Sequence, residues 1–293
     1  TLKGRNISED DQEMLQMKFD KMYTTKDIYT IYNWMLDDCG CDLLPEVPYE
    51  KRKLPYEDVF PMLYLKYRLS GGNSTHKNIK HLVIDEMQDY SYLQYTILES
   101  LFHCRMTILG DRAQTLDTKQ QDVLRFLPKL LGREIRTIEI KKSYRNTLEI
   151  ARYAEKVSGV SDLELLDRHG KEVVEKTFNT DTELLDELVC HLKCPGDFET
   201  AALITTTEEE AFDLSRLLKL RGINVSYVDR NSSAFKKGLT VTTFYLAKGL
   251  EFDQVFALRG AKENPLKNQA EYICATRALH ELYVYEIADS LSK

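Results

Sequence analysis

Apolar and polar positions along the chain alternate between two periods. Short β-branched runs predict strands at LVIDEM, MTILGD and IRTIEIKKSYR, with segments of helical spacing between them. Beyond a break near residues 146–160, strands are predicted at AALITTT, INVSYVD, LTVTTF, QVFALRG and ELYVYEI. Strands that alternate with helices are typical of parallel sheets, so the pattern predicts an α/β fold of two units with flanking helices.

Two helix ends carry recognisable signals. Asn146 is predicted to cap the helix over NTLEIARYAEKV, because Glu149 follows three residues later. Gly222 is predicted to close the helix over EEEAFDLSRLLKLRG.

The first part of the chain has a different character. Residues 1–45 are acidic and helix-like, and residues 44–56 form a predicted connector with three prolines and a basic cluster. Amphipathic packing is one interpretation of residues 1–45, and an insertion particular to one family is the other.

Composition narrows the class of protein. The net charge is −7, all of it in residues 146–293, so we expect any affinity for nucleic acid to be local or weak. No apolar run of membrane-spanning length and no signal peptide is present, and the six cysteines lack zinc spacing. We expect a cytoplasmic protein with reduced thiols and no membrane partner; the absence of a starting Met suggests a piece of a longer chain.

Carboxylates follow the first predicted strand, which we expect to be buried. Asp85 and Glu86 stand at its end, and ligands of open α/β sheets bind at the carboxyl ends of strands. One acid at this place can hold Mg²⁺, and its neighbour can deprotonate a water molecule, as in nucleotide hydrolases. An acidic strand cap without a metal is the alternative.

Three polar residues at later segment ends strengthen the nucleotide hypothesis. Gln114, shortly after Gly110-Asp111, has an amide suited to a γ-phosphate or an attacking water. Arg145 and Arg277 are suited to stabilise charge on a transferred phosphoryl group, although each taken singly is also typical of a solvated or salt-bridged side chain.

The order of these segments resembles a known family. VIDEMQD, ILGDRAQ, KSYRN, TTFYLAKGLEFDQVF and YICATRAL are similar, in this order, to motifs II to VI of UvrD/Rep-type superfamily-1 helicases. The sequences AKGLEFD and CATRALHEL, and the short interval between motifs IV and V, resemble the helicase-IV-like branch, HelD. The resemblance implies RecA-like (P-loop NTPase) parallel sheets without the large inserted subdomain of UvrD and Rep, and it covers roughly residues 50–290.

The resemblance also implies a role for each matching residue, with ATP and Mg²⁺ as cofactors. Asp85 would bind Mg²⁺, Glu86 would be the general base, and Gln114 would sense the γ-phosphate. Arg145 and Arg277 would act as arginine fingers. The remaining implied nucleotide contacts are Gln88, Asp89, Asp111, Gly249 and Glu251, of which Glu251 matches the acid that contacts the ribose.

Two residues match the single-strand contacts of the family, Thr243 and Tyr245. Tyr245 departs from the pattern because UvrD and Rep carry His there. An aromatic ring still stacks on a base, but the hydrogen bond of an imidazole is lost. A packed core aromatic is the other interpretation of Tyr245.

A larger departure is the phosphate loop. None of the glycines belongs to a GxxxxGK[ST] sequence, so the chain has no Walker A motif. We therefore expect residues 1–145 to hold the C-terminal part of a first motor domain and residues 146–293 a complete second one. The remainder of the same chain would carry the Walker A motif, and this piece alone would hydrolyse ATP poorly.

Three functions are compatible with these motifs. The first is an ATP-dependent helicase or translocase on single-stranded DNA or RNA. The second is a HelD-type ATPase that releases RNA polymerase from nucleic acid, and the third is a degenerate structural module. The motifs specify ATP chemistry and do not specify whether the protein acts on nucleic acid or on another protein.

Overall fold

The protein divides into two compact units. The computed structural model describes residues 8–24, 27–69, 76, 78–116, 123–132, 135–160, 164–193, 198–232, 237–260 and 264–288. The first unit comprises Thr1–Leu109 and Val123–Glu134, and the second comprises Gly110–Asp122 and Ile135–Lys293. Residues 110–122 and 135–145 thus group with the second unit, whereas the sequence assigned them to a first motor domain ending at residue 145. That assignment of motor domains stays a prediction.

The first unit combines helices with a small parallel sheet in which β1 pairs with β2. Its elements are α1 (Glu9–Thr24), α2 (Ile28–Asp38), a 3₁₀ turn (Tyr49–Lys51), α3 (Tyr56–Leu69), β1 (His81–Ile84), a 3₁₀ turn (Met87–Asp89), α4 (Tyr92–Leu101), β2 (Arg105–Ile108) and α5 (Val123–Leu131). The predicted loop at residues 70–78 lies mostly outside the described residues.

The expectation that β1 is buried is wrong. Only Ile84 of this strand is buried, and Val83 is 60% exposed. The physical reason is that β1 and β2 form a sheet of two strands among the described residues, with too few neighbours to cover both faces.

The described residues near the N-terminus form helices, as predicted. In α2, Tyr29, Tyr32 and Leu36 pack with Leu44 from the following connector in a small core. In α1, by contrast, Met17 is 63% exposed, like the other apolar side chains described in that helix. Only the second of these helices therefore shows the amphipathic packing that the sequence suggested.

The second unit is built on a six-stranded parallel sheet in the order β5-β10-β9-β6-β8-β7, and β3 pairs with β4 separately. Its elements are a 3₁₀ turn (Arg112–Gln114), β3 (Lys142–Ser143), α6 (Leu148–Ser158), β4 (Glu164–Leu165), β5 (Val174–Phe178), α7 (Asp181–Lys193), β6 (Thr200–Thr205), α8 (Glu208–Leu220), β7 (Ser226–Tyr227), β8 (Gly238–Thr243), β9 (Phe252–Arg259), α9 (Lys267–Arg277) and β10 (Ala278–Ile287). The predicted α/β class, with parallel sheets and flanking helices, is confirmed.

Helices cover both faces of this sheet. Successive strand residues point to opposite faces, so Val255 of β9 packs in a core with α6 and α9, whereas Phe256 packs in a core with α7 and α8. Gly222 ends α8 with φ +79°, as predicted from its position. The sheet is therefore a central layer buried on both sides.

The sequence predicted one strand segment in this unit that does not form and missed one strand that does. Residues 135–141 form no strand, and Ile138 and Ile140 are 71% and 81% exposed; pairing is limited to Lys142 and Ser143. The sequence also missed β5, because three of its five residues are exposed and only Val174 and Phe178 carry apolar side chains towards the core. An edge strand of this kind lacks the continuous apolar run of a central one.

The described cysteines are free thiols. Cys274 lies in the core, where burial raises the pKa of its thiol to about 12. None of the helices in the described ranges combines the length and the apolar character needed to cross a membrane.

A charged network fastens α9 to the sheet. The Arg259 guanidinium at the end of β9 contacts both carboxylate oxygens of Glu271 on α9, with Nε–Oε1 and Nη2–Oε2 distances of 2.8 and 2.9 Å. It also contacts Glu286 of β10 at 2.9 Å and Glu175 of β5 at 3.2 Å. Although burial disfavours the charge, the hydrogen bonds with Glu271 and Glu286 raise the pKa of Arg259. The network therefore joins α9 to three strands.

Replacing Arg259 by Ala should destabilise the second unit by about 2–3 kcal/mol, because Glu271 would keep its buried carboxylate without its main partner. Urea unfolding measures this change. Arg216→Ala is the control, since the Arg216–Asp213 pair is exposed on α8 and should contribute less than about 0.5 kcal/mol. Equal effects of the two substitutions would contradict the role of the network.

Candidate functional site

The predicted catalytic acids follow β1 in a strained turn. Glu86 has φ 53° and ψ 49°, and it is the only described residue other than glycine with a positive φ. Asp85 accepts a hydrogen bond from the Glu86 amide through Oδ1 at 2.8 Å and remains exposed. A left-handed conformation costs a non-glycine residue about 1–3 kcal/mol and occurs preferentially at functional sites. The backbone of Glu86 therefore marks this turn as a candidate site.

The next residues orient the Glu86 carboxylate. Gln88 is buried, and its side-chain amide donates to Glu86 Oε2. The turn itself is fixed by hydrogen bonds from the Met87 amide to the Leu109 carbonyl at 2.8 Å and from the Tyr95 hydroxyl to the Met87 carbonyl at 3.0 Å. Asp89 is exposed beside them. Gln88 thus acts through Glu86.

In the second unit, the Arg112–Gln114 turn holds the predicted γ-phosphate sensor. Asp111 caps this turn by accepting from the Ala113 amide at 3.0 Å. Its other carboxylate oxygen accepts from Gln114 Nε2 at 2.9 Å, and Gln114 is 8% exposed. Asp111 therefore fixes the orientation of the Gln114 amide.

Arg277, at the end of α9, contacts the same amide. The side chain is 3% exposed, and Nη2 donates to Gln114 Oε1 and to Thr276 Oγ1 at 3.3 and 3.1 Å. Nη1 donates to the Leu250 carbonyl at 3.3 Å. The structure thus brings together the residues matched to motifs III and VI, which lie far apart in the sequence.

Two further residues join this network and were missed by the sequence reasoning. The Tyr272 hydroxyl donates to Asp111 Oδ2 at 2.8 Å, and burial together with the Asp111 carboxylate raises the pKa of Tyr272. Lys248 Nζ donates to the Gln114 carbonyl at 3.0 Å. The sequence signal for both was their place inside the quoted motifs, YICATRAL and AKGLEFD.

Asn146 has a different role from the predicted helix cap. Its amide donates to the carbonyls of Ala275 and Ala278 at 3.2 and 2.6 Å, and Thr147 occupies the cap position. The cap prediction was wrong because the distant backbone that flanks Arg277 competes for the Asn146 side chain. Asn146 consequently fixes the chain on both sides of Arg277.

The other predicted arginine finger, Arg145, forms an ion pair with Glu251, the predicted ribose contact. The Nε–Oε1 distance is 2.8 Å, and both side chains are nearly half exposed. Exposed pairs are worth little energy, so this contact is readily exchanged for another. Nearby Gly249 has φ +79°, and no atom lies within 4 Å of the place where a Cβ would stand. The backbone angle, rather than the close approach of a neighbouring atom, therefore requires glycine there.

The loop that contains Arg168, His169 and Gly170 is also held in place beside Arg145. Glu149 accepts hydrogen bonds from His169 Nδ1 at 2.9 Å and from the Gly170 amide at 2.8 Å. The hydrogen bond from His169 lowers the pKa of Glu149 to about 2. Arg168 in the same loop donates to the Arg145 carbonyl at 2.9 Å.

The predicted single-strand contacts are not both at the surface. Thr243 is 1% exposed, and its hydroxyl has no hydrogen-bond partner in the part of the chain that the structure describes. Tyr245 is half-buried against the core, and its hydroxyl donates to Glu208 Oε1 at 2.9 Å. Tyr245 therefore has the setting of a packed aromatic, and a role of these two residues in strand binding stays a prediction.

The predicted residues separate into two groups. Asp85, Glu86, Gln88 and Asp89 lie in the first unit. The other site residues lie in the second unit, where the structure joins five of them in two clusters, Asp111 with Gln114 and Arg277, and Arg145 with Glu251. Thr243, Tyr245 and Gly249 belong to neither cluster.

Comparison with protein families gives a match over part of the chain. Residues 10–116 match the model of the UvrD/REP helicase N-terminal domain. The match begins in α1, well before residue 50, where the resemblance inferred from the sequence begins. It supports a UvrD-like helicase. Comparison with curated proteins gave no match.

Solved structures of helicases are similar to the chain at low superposition scores. The C-terminal domain of a "possible DNA helicase" from Lactobacillus plantarum WCFS1 is 26% identical, with a TM-score of 0.42 over 50% of this chain and 88% of that one. The PRRSV helicase is 17% identical, with a TM-score of 0.40 over 72% of this chain and 36% of the viral one. Arterivirus nonstructural protein 10 (helicase) in complex with DNA is 18% identical, with a TM-score of 0.43 over 73% and 41%.

Removing the Tyr272 hydroxyl should weaken the anchoring of the Arg112–Gln114 turn. We expect Tyr272→Phe to lower the free energy of unfolding by about 1.5–3 kcal/mol, the range for a hydrogen bond to a charged group. Tyr285→Phe is the control, because Tyr285 is also buried and its hydroxyl makes no hydrogen bond within the described ranges. A Tyr272→Phe loss no greater than that of the control, measured by urea unfolding, would refute the anchoring role.

Proposed function

We propose that this chain is the C-terminal part of an ATP-dependent superfamily-1 motor that moves on single-stranded nucleic acid. The observation that carries the proposal is the hydrogen-bonded group of Asp111, Gln114, Tyr272 and Arg277. A buried amide and a buried guanidinium that contact each other form a preorganised set of donors and acceptors, the kind that stabilises charge on a transferred phosphoryl group.

The residues present fit part of a Mg²⁺–nucleotide site. Asp85 has an exposed carboxylate, of which Oδ1 accepts the Glu86 amide, so oxygen ligands of the type preferred by Mg²⁺ are available. When bound, ATP would supply the phosphoryl group, and Mg²⁺ would neutralise part of its negative charge. Glu86, oriented by Gln88, would take a proton from the attacking water, and Gln114, Arg145 and Arg277 would stabilise the developing charge.

The incomplete sheet of the first unit supports a missing remainder. Val83 is 60% exposed in a sheet that has two strands among the described residues, whereas parallel sheets are normally covered on both faces. The chain also contains no GxxxxGK[ST] sequence. We infer that another part of the same protein supplies the Walker A motif and completes this sheet.

A HelD-type ATPase that acts on RNA polymerase is the second candidate. One observation favours it: Thr243 is buried and the Tyr245 hydroxyl is bound to Glu208, so the two residues matched to strand contacts offer little surface to a strand. The short interval between α8 and β8 agrees with the HelD-like branch as well. In this case the same ATP chemistry would act on a protein load.

The acid at residue 86 provides the direct test. In the full-length protein, Glu86→Gln should lower ATP turnover by about 10²–10⁴-fold, the usual contribution of a general base, and should abolish any stimulation by single-stranded DNA. Glu99→Gln on α4 is the control for loss of an acid in the same unit and should leave turnover unchanged.

The outcomes of that experiment separate the candidates. Stimulation by single-stranded DNA that disappears in Glu86→Gln supports the nucleic-acid motor. Glu86-dependent turnover that ignores DNA and responds to RNA polymerase supports the second candidate. Full turnover in the Glu86→Gln protein contradicts both.

A further inference from the structure

The connector between α2 and α3, residues 39–55, is held firmly although most of it has no regular structure. Asn33 on α2 makes two hydrogen bonds with the Leu44 backbone, both 3.0 Å long. The Tyr29 hydroxyl donates to the Pro45 carbonyl at 2.8 Å, and Leu44 itself is buried in the α2 core. The first half of the connector is therefore fastened along α2.

Arg52 fastens the second half. Its two terminal nitrogens each lie 2.9 Å from one carboxylate oxygen of Asp27, and this hydrogen bonding lowers the pKa of Asp27. The guanidinium carbon lies 4.4 Å from the centre of the Tyr29 ring and 5.8 Å from that of Tyr49. The middle cation of the Lys51-Arg52-Lys53 run is thus used to hold the connector in place.

The side chains around this anchor remain in solvent. Tyr49 and Tyr56 are 79% and 75% exposed. Lys51 and Lys53 are exposed too, and neither makes an ion pair within the described ranges. We call Tyr49, Lys51, Lys53 and Tyr56 the aromatic-basic strip. A rigid backbone displays two rings and two ammonium groups, at little further cost in conformational entropy on binding.

This combination matches the chemistry of single-stranded nucleic acid. Sequence-tolerant strand binding combines cations that contact phosphates with aromatic rings on which bases stack. Glu50 and Glu57 are exposed in the same segment and balance the charge of Lys51 and Lys53, so few phosphates can be neutralised and the rings must carry most of the affinity. An apolar protein surface would leave the two unpaired ammonium groups without partners.

We propose that the aromatic-basic strip is a single-strand contact outside the helicase-like motifs, with bases stacked on Tyr49 and Tyr56 and phosphates at Lys51 and Lys53. The proposal rests on the proposed function for the presence of a strand. It places a nucleic-acid contact in the first unit, where none of the residues matched to strand contacts lies.

Fluorescence anisotropy of a labelled oligothymidylate with the 293-residue chain tests the strip. Tyr49→Ala and Tyr56→Ala should each weaken binding at least about fivefold, whereas Tyr49→Phe and Tyr56→Phe, which keep the ring, should bind like the unchanged chain. Lys51→Gln with Lys53→Gln should reduce the dependence of log Kd on log salt by about 1.4, the value for two phosphate contacts on a single strand. Phe212→Ala on α8, which removes an exposed aromatic from the second unit, should have no effect.

Photocrosslinking to an oligonucleotide that contains 5-iododeoxyuridine locates the contact directly, and crosslinked peptides should include residues 49–56. Unchanged affinity of the alanine variants, with crosslinks elsewhere, would overturn the strip and leave the proposed function standing. Failure of the unchanged chain to bind the oligonucleotide would overturn the strip as well, whereas the proposed function is tested separately by the ATP turnover of the full-length protein. Loss of binding to RNA polymerase, rather than to DNA, in the alanine variants would assign the strip to a protein partner and overturn the proposal.

Discussion

The candidate site of the second unit depends on the ion pair between Arg259 and Glu271. This pair holds α9 against the sheet by two hydrogen bonds in parallel, the strongest geometry available to a guanidinium and a carboxylate. From that fixed helix, the Tyr272 hydroxyl reaches Asp111 and Arg277 reaches Gln114. Two side chains of one helix thus hold a short turn at both of its ends. The position of the turn follows from the position of the helix.

This arrangement has a consequence for catalysis. A charge-stabilising group is effective when it is oriented before the reaction, because no reorganisation is then needed in the transition state. Gln114 is oriented by Asp111, Arg277 by Gln114 and the backbone at Leu250, and the chain on both sides of Arg277 by Asn146. Under the proposed function, we expect Gln114 and Arg277 to respond to a nucleotide as one element, whereas the exposed Arg145–Glu251 pair would rearrange independently.

The sequence predicted the fold where a local pattern decides it. Apolar runs in β6, β8, β9 and β10 gave the central strands, and Gly222 gave a helix end. The pattern failed where tertiary neighbours decide. Residues 135–141 alternate like a strand yet have no partner strand among the described residues, and Asn146 bonds to a backbone more than a hundred residues away. The contact of Tyr272 with Asp111 is equally distant in the chain, so no local spacing could reveal it.

The candidate site was predictable to the same extent. Motif order indicated which residues belong to it, but burial of Thr243 and the bond between Tyr245 and Glu208 depend on packing that the motifs do not encode. The aromatic-basic strip lay in a segment that the sequence marked only as a connector. The contacts of Arg52 show that this cation holds the connector in place, whereas Lys51 and Lys53 remain exposed and available to a ligand.

A double-mutant cycle between Gln114 and Arg277 tests the central claim most directly. Single-turnover ATP hydrolysis would be measured for the full-length protein, for Gln114→Ala, for Arg277→Ala and for the double variant. If the two side chains act as one element, the double variant should be no less active than the less active of the two single variants. The coupling free energy between the two residues should then exceed about 1 kcal/mol. Losses that multiply would show that the two residues act independently and would contradict the account.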